Sequence, residues 1–357
     1  MKGYLLLANG QLYEGTLMGA AKPVMAELVF TTAMTGYLET LTDPSYEGEI
    51  VIQTFPTIGN YGVIPEDFES PRPRLSAYIV RELCDEPSNF RCQGKLDDYL
   101  KAQGIPCLTG VDTRALTRVI RNAGVMNAAL LTEKPENPEE ICAQLKVLPF
   151  HPSIQDVTCD GVQPAKKRGI HNVVLWDFGA KANIQRELEK RGCAVTVVPA
   201  SATAQEILNL NPDGLMLSNG PGDPADNTAV IANLRELMRH RIPTFGICLG
   251  HQLLALSQGA KLKYGRRGAN QPAKDVKTGL SYMTSQNHGY AVDCDTLPEN
   301  ASLRFVNGND GTCEGVDYTD MPAFSVQFHP EACGGPLDTR FLFDRFIAMM
   351  GGNKECR

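Results

Sequence analysis

One cysteine of this chain stands in a context that favours nucleophilic chemistry. Cys248 follows the short apolar run 244–247 and precedes residues 249–256, which have helical spacing. Gly246 and Gly250 stand two residues on either side of it, which gives the pattern G-x-C-x-G. This is the cysteine counterpart of the G-x-S-x-G elbow, where a sharp strand-to-helix turn exposes the nucleophile and a helix N-terminus favours the thiolate. The alternative, a buried free cysteine before a core helix, does not explain the two glycines.

A thiolate nucleophile needs a base, and the base needs a group that orients it. An apolar run near the C-terminus, residues 323–328, leads into His329, Pro330 and Glu331. Residues two apart on an extended chain face the same way, and Pro330 biases His329 toward extended geometry. We therefore predict that Glu331 holds one imidazole nitrogen of His329 while the other faces Cys248. An ordinary surface histidine and glutamate at a strand end is the competing interpretation.

Acyl transfer through a thiolate also creates an oxyanion, which needs N–H donors placed in advance. The elbow offers the backbone N–H of Leu249. The loop 218–224 contains Gly220 and Gly222, where a backbone can approach a ligand closely. A plain turn before a helix is the alternative for this loop.

Further polar residues could bind a substrate. Gln252 lies four residues beyond Cys248 and thus on the same helix face. Residues 286–290 form a polar stretch between two apolar runs. His288 and His251 are rival bases, but for both we favour an ordinary hydrogen-bonding role.

The elements that must position these residues alternate from His171 onward. Strand-like runs at 173–176, 193–198 and 214–217 alternate with helical runs at 181–191, 204–210 and 228–239. Repeated βα units predict an open, mostly parallel sheet flanked by helices, with the site beyond the carboxyl ends of the strands. The loop 218–224, Cys248 and His329 all follow apparent strands, so they can converge on one edge.

The preceding part of the chain has a different pattern. Residues 1–150 predict a mixed α/β domain that shows no catalytic cluster of its own. Residues 151–170 lack any period and predict a linker, and residues 171–357 form the second domain. Within the first domain we expect a hairpin at Asn9-Gly10, strands at 27–32, 49–53 and 76–81, and helices at 96–103, 112–122 and 138–145.

Composition limits the function classes. The 357 residues are 43% hydrophobic and 21% charged, with a formal net charge of −7, which leaves no basic footprint for nucleic acid. The N-terminal apolar run is too short for a signal peptide, and no apolar stretch is long enough to span a membrane. Eleven cysteines without a C-x-x-C pair argue against a disulfide framework and a zinc site. We expect a cytoplasmic protein that binds no metal.

Taken together, three motifs resemble the class I, triad-type glutamine amidotransferases: residues 219–224, 246–253 and 329–331. Further stretches over almost the whole chain resemble the small, glutaminase subunit of glutamine-hydrolysing carbamoyl-phosphate synthase. These are residues 32–37, 41–46, 59–62, 110–114 and 177–181.

The resemblance implies an α/β fold and a role for individual residues. Cys248 would attack the amide of L-glutamine with His329 as base and Glu331 as its orienting partner. Leu249 and Gly220 would form the oxyanion hole. Glutamine contacts would fall on Ser45, Gly220, Gly222, Leu249, Gln252, Asn287, Gly289 and Tyr290.

The family also implies a partner. The ammonia would pass to a large synthetase subunit, which makes carbamoyl phosphate from bicarbonate and ATP for pyrimidine and arginine biosynthesis. ATP and magnesium are expected on that subunit, and no cofactor is expected in this chain, whose N-terminal domain would dock the partner. A free-standing cysteine amide hydrolase and a non-catalytic binding module of the same fold remain the alternatives.

Overall fold

The structure is a computed structural model that describes residues 1–124, 126–149, 152–264 and 267–351. The chain divides into two compact units, Met1–Pro152 and Ser153–Arg357. Phe150 and His151, at the boundary predicted from the sequence, lie outside the described residues. Within the described ranges, no helix combines the length and the apolar character that crossing a bilayer requires.

The first unit is built around a closed barrel, in the strand order β1-β2-β8-β6-β4-β3-β9. Its strands are β1 (Lys2–Leu7), β2 (Leu12–Gly19), β3 (Val24–Thr31), β4 (Ile50–Gln53), β5 (Thr57–Ile58), β6 (Ala77–Ile79), β7 (Glu82–Leu83), β8 (Pro106–Thr109) and β9 (Asn127–Leu131). Its helices are α1 (Tyr37–Thr42), α2 (Leu96–Ala102), α3 (Thr113–Ala123) and α4 (Pro138–Val147).

The local patterns of the first unit form as predicted, but its closure was not predicted. The Asn9-Gly10 turn joins β1 to β2 as an antiparallel hairpin, and α3 has the expected Asp112 cap, whose carboxylate accepts the N–H of Ala115. The barrel closes where β1 pairs with β9, with Leu5 opposite Leu130. That contact joins residues far apart in the chain, so no short-range pattern signals it.

The second unit carries a nine-stranded sheet in the order β11-β10-β12-β13-β20-β19-β18-β15-β16. Its strands are β10 (His171–Asp177), β11 (Cys193–Pro199), β12 (Gly214–Leu217), β13 (Thr244–Ile247), β14 (Leu262–Tyr264), β15 (Arg267–Asp275), β16 (Ser281–Asn287), β17 (Tyr290–Val292), β18 (Ala301–Asn307), β19 (Cys313–Tyr318) and β20 (Ala323–Val326). Its helices are α5 (Ala182–Lys190), α6 (Ala204–Asn209), α7 (Thr228–Arg239), α8 (Leu249–Ser257) and α9 (Phe341–Gly351).

The open sheet flanked by helices confirms the predicted fold class. The strands β11, β10, β12, β13 and β20 are parallel, and the antiparallel strands β19, β18, β15 and β16 extend the sheet beyond β20. Side chains of β10 alternate between two buried clusters. Trp176 packs on the face covered by α6, α7 and α8, while Leu175 packs on the face covered by α5 and α9. The carboxyl ends of the parallel strands remain open for a site.

The segment predicted as a linker packs within the second unit from Ser153 onward. The hydroxyl of Thr158 donates to the backbone carbonyl of Asp177 at 2.6 Å. Gln163 and Val197 exchange two backbone hydrogen bonds of 2.8 and 2.9 Å. These bonds attach the segment to strands β10 and β11. The hydrophobic pattern of the segment does not predict this attachment.

Candidate active site

The chain turns sharply at Cys248, between β13 and α8. Cys248 has φ 52° and ψ −105°, a backbone conformation that side chains rarely adopt and that costs on the order of 1–3 kcal/mol. A Cβ placed on Gly250 would lie 2.5 Å from the carbonyl oxygen of Leu217, and one placed on Gly246 would lie 2.9 Å from the carbonyl carbon of Gly250. Both glycines are therefore required by close backbone contacts. The elbow predicted from G-x-C-x-G is present.

His329 and Glu331 form a buried pair beyond the end of β20. His329 Nδ1 lies 2.7 Å from Glu331 Oε1, and the two residues are 1% and 0% exposed. The backbone N–H of His329 donates to the carbonyl of Ser285 on β16 at 2.9 Å, so the sheet extension helps to fix His329. The carboxylate thus occupies Nδ1, as the spacing of two predicts. The Nε2 atom is buried and has no hydrogen-bond partner in the described part of the chain.

Lys181 is a third charged group at this pair, and sequence reasoning gave it no role. Its Nζ lies 3.2 Å from His329 Nδ1 and 3.4 Å from Glu331 Oε1, and its side chain is only 10% exposed. Lys181 caps the N-terminus of α5 just after β10, where its backbone N–H donates to Asn219 Oδ1. The sequence offered one indication of this role, because Lys181 lies in a connection from a strand to a helix. In such sheets the sites are formed by these connections at the carboxyl ends of the strands.

The charges of the site shift two pKa values in opposite directions. Burial and Lys181 both lower the pKa of His329, but Glu331 and Cys248 outweigh them and raise it. Burial raises the pKa of Glu331, but His329 and Lys181 outweigh it and hold the pKa well below its usual range. The pair is thus an imidazolium next to a carboxylate. In general, an imidazolium close to a cysteine favours the thiolate that acts as the nucleophile.

The thiol faces the polar stretch that the sequence analysis singled out. Cys248 Sγ donates to the backbone carbonyl of Asn287 at 3.8 Å, where β16 ends. Gly289 follows, and a Cβ placed there would meet nothing within 4 Å, so the space beside it is open.

The groups predicted for an oxyanion hole lie next to each other. Leu249 is the first residue of α8, so its N–H has no carbonyl of a preceding helical turn to bond. A Cβ placed on Gly220 would lie 2.1 Å from the carbonyl oxygen of Phe178 and 2.8 Å from Leu249 Cδ2. The loop therefore passes against the elbow only because residue 220 is glycine. Gly222 has φ 87° and turns the chain away from it.

The predicted substrate residue Gln252 is held by the protein. Its Nε2 donates to the carbonyl of Tyr290 at 2.7 Å and to Gln327 Oε1 at 2.9 Å. Both amide protons are used, so Gln252 links α8 to the Gly289–Tyr290 turn and presents only its oxygen to a ligand. Its assignment as a substrate contact stays a prediction.

The two rival histidines occupy structural positions. His251 is fully buried, its Nδ1 lies 2.8 Å from Ser325 Oγ, and burial together with the charge of His288 lowers its pKa to about 3. His288 Nδ1 donates to the carbonyl of Tyr290 at 2.7 Å. Neither is hydrogen-bonded to Cys248, which agrees with the hydrogen-bonding role we favoured.

Ser45 lies in the first unit, in a single helical turn at Pro44–Tyr46. It is buried, and its N–H donates to Asp43 Oδ1 at 2.9 Å. Its contact with glutamine stays a prediction. In the described part of the chain, no group of three or more His, Cys, Asp or Glu side chains could hold a metal ion.

Comparison with known proteins gives each unit a match. The model of the carbamoyl-phosphate synthase small chain, CPSase domain, matches residues 5–130. The model of class I glutamine amidotransferases matches residues 174–349, which contain every group of the site described in the second unit. A glutamine amidotransferase structure from Thermotoga maritima is 17% identical, with a TM-score of 0.38, over 51% of this chain and 83% of that one.

Curated relatives match over nearly the full length. The carbamoyl phosphate synthase small chain of Staphylococcus epidermidis is 50% identical over 99% of this chain and 97% of its own. That of Fusobacterium nucleatum is 48% identical over 98% of this chain and 99% of its own. With a class I amidotransferase domain and this extent of identity, the chain belongs to the family of carbamoyl phosphate synthase small chains.

Proposed function

We propose that this chain hydrolyses L-glutamine to glutamate and ammonia through Cys248, His329 and Glu331. The observation that supports it best is the pairing of a strained elbow cysteine with a buried histidine whose Nδ1 is held by a carboxylate at 2.7 Å. The membership of the chain in its family gives the reaction class, a glutamine amidotransferase.

The catalytic cycle follows from the charge state of the site. The Cys248 thiolate adds to the amide carbon, and the negative charge moves to the oxygen, toward the N–H groups of Leu249 and Gly220. His329 then gives its Nε2 proton to the amide nitrogen, the C–N bond breaks, and ammonia leaves from a thioester. A water molecule gives a proton to His329 as it attacks the thioester, and glutamate departs while the thiolate is restored.

Three features of the site support glutamine as the substrate. The Asn287 carbonyl lies at the sulfur, and Gln252 holds the Tyr290 carbonyl of the same turn, so this turn is suited to bind a polar substrate. Gly220 lies against Leu249, whose N–H is the other donor proposed for the oxyanion hole. Lys181 adds a cation beside the triad, which keeps Glu331 ionised while the proton moves on the far side of the imidazole.

We propose that ammonia passes to a large synthetase subunit that makes carbamoyl phosphate from bicarbonate and ATP for pyrimidine and arginine biosynthesis. The relatives named small chains support this role, because that name implies a larger partner. ATP and magnesium would bind to the partner. The ten described cysteines are all free thiols, which supports a reducing cytoplasm as the compartment.

Replacement of the nucleophile tests the proposal. Cys248→Ser should abolish glutamine hydrolysis, while synthesis from added ammonia by the complex with the large chain should continue. Cys159→Ser is the matched control: burial and Asp177 raise the pKa of this half-buried thiol to about 11, so it supplies little thiolate. Wild-type hydrolysis by Cys248→Ser would refute the proposal. Full hydrolysis by the isolated chain, with no response to a large chain, would favour a free-standing amide hydrolase.

A further inference from the structure

A closed ring of hydrogen bonds lies beneath the predicted glutamine-binding turn. Its members are Gln252 on α8, Gln286 at the end of β16, His288, Tyr290, Glu314 on β19 and Gln327 beyond β20. Every one of these except Tyr290 is buried. We call these six residues the polar ring.

One side of the polar ring contains the turn itself. Gln286 Oε1 lies 3.4 Å from His288 Nε2, and His288 Nδ1 donates to the Tyr290 carbonyl at 2.7 Å. Gln252 Nε2 donates to the same carbonyl and to Gln327 Oε1. The Tyr290 carbonyl therefore receives two donors, and the conformation of the turn depends on both.

Glu314 closes the other side. The backbone N–H of Gln327 donates to the Glu314 carbonyl at 2.9 Å, which continues the pairing of β19 with β20 by one residue. The Glu314 side chain interacts with the Gln286 amide, and its Oε1 accepts from Asn307 Nδ2 at 2.9 Å. Thr284 fixes the orientation of the Gln286 amide. Its hydroxyl donates its proton to the Gln271 carbonyl, so its oxygen can only accept, and it accepts from Gln286 Nε2 at 3.1 Å.

Two polar atoms in this arrangement have no hydrogen-bond partner among the residues that the structure describes. They are Glu314 Oε2 and Gln327 Nε2, on neighbouring residues of paired strands. No lysine or arginine forms an ion pair with Glu314 among the described residues. An ionised carboxylate in this place would be buried, 1% exposed, with too few donors.

The groups that face Glu314 favour its neutral form. Burial raises its pKa to about 8 even though Asn307 and Gln286 lower it, and the negative charges of Asp310 and Cys294 raise it further. Asp310 lies in the β18–β19 connection, and Cys294, which interacts with Cys313 beside Glu314, lies after β17. His288 lies next to Gln286, whose amide interacts with Glu314. The carboxyl is therefore protonated at neutral pH.

We propose that Glu314 is a positioning residue for glutamine binding: in its neutral form it holds the polar ring, and its ionisation weakens binding of the substrate. The inference rests on the proposed function, because it takes glutamine as the ligand of this turn. A charged Glu314 would attract Gln327 Nε2, a buried donor on the residue paired with it. Rotation of that amide removes Gln327 Oε1 from Gln252, so the Gln252 amide that donates to the Tyr290 carbonyl is less firmly held.

The test compares KM and kcat for glutamine hydrolysis between pH 6.5 and 9.5, in the full-length chain with its large chain. With the pKa of Glu314 raised by burial to about 8, KM should rise with pH over this range, on the order of tenfold between pH 7 and pH 9. Glu314→Gln keeps the shape without the charge, and its KM should stay nearly constant over that range. Calorimetric titration of L-glutamine into the Cys248→Ser chain measures the same change in affinity without turnover.

The control is Asp317→Asn, the same chemical change three residues along β19. Asp317 is buried but paired with Lys277, Arg304 and Arg345, on the other face of the strand. This variant should lose stability and keep the tenfold rise in KM. Asp310→Asn removes a negative charge near Glu314, so the rise should begin at lower pH.

Two results would overturn the inference. One is an equal rise in KM with pH in Glu314→Gln and wild type. The other comes from infrared spectra at pH 7, which need no catalysis. Wild type should show a protonated-carboxyl band that is missing from Glu314→Gln, and identical spectra of the two proteins in this region would contradict the inference. If instead Cys248→Ser still hydrolyses glutamine, the proposed function is wrong. The infrared spectra would still report whether Glu314 is protonated, because they do not depend on that function.

Discussion

Replacement of Glu331 by glutamine tests whether this residue acts by orienting the His329 imidazole or by its negative charge. Glutamine has the volume of glutamate, and the site is fully buried, so the main change is loss of the negative charge. Two orientations of the new amide are possible. Lys181 Nζ, 3.4 Å from Oε1, favours an oxygen at this position, and that oxygen can still accept from His329 Nδ1. The base should therefore keep its orientation.

The magnitude follows from the hydrogen bond that remains. A bond to a charged group contributes about 1.5–3 kcal/mol and a neutral one about 0.5–1.5 kcal/mol, so about 1–1.5 kcal/mol of support for the imidazolium is lost. At about 1.4 kcal/mol per factor of ten, kcat should fall about tenfold. Loss of the base in His329→Asn removes general-base help worth about 10²–10⁴-fold and nucleophile activation as well. Glu331→Gln should therefore be the milder change.

The pH dependence has a definite sign. Glu331 is one of the groups that raise the pKa of His329, so its neutralisation lowers that pKa. The alkaline limb of the kcat profile, where the imidazolium loses its proton, should move to lower pH in Glu331→Gln. Steady-state glutaminase assays across pH on wild type, Glu331→Gln and His329→Asn measure both effects. Equal losses in the two variants, or an alkaline limb that moves upward, would refute this account of the triad.

Three further predictions concern the elbow, the base and the domains. Gly250→Ala should reduce kcat by two orders of magnitude or more, because its Cβ would meet the Leu217 carbonyl at 2.5 Å and displace the nucleophile; thermal unfolding alongside the assay shows whether the fold survives. His251→Asn should keep most activity while His329→Asn loses it, and the opposite order in a glutaminase assay would remove His329 as the base. A fragment of residues 153–357 should fold by circular dichroism but fail to support glutamine-dependent synthesis with the large chain; full coupled activity would argue against docking by the first unit.

The chemistry of the site was largely predictable because it depends on local geometry. The G-x-C-x-G spacing implies a tight turn, and the turn needs glycines where the backbones of α8 and β12 meet. The spacing of two between His329 and Glu331 places both side chains on one side of an extended chain. Both arguments involve residues within a few positions of each other, so the sequence alone determines them.

The supporting groups could not be predicted in this way. Lys181 reaches Glu331 only because β10 and β20 end at the same edge of the sheet, with β12 and β13 between them. The polar ring joins six residues from α8, β16, β17, β19 and the segment beyond β20, and the antiparallel extension that carries much of it was absent from the expected pattern. The sequence by itself determined the alternating elements of the parallel sheet, the turn at Cys248 and the placing of His329 beside Glu331. Only the tertiary structure decided which buried charges surround them, because burial and partners from distant segments set a pKa and no local pattern contains them.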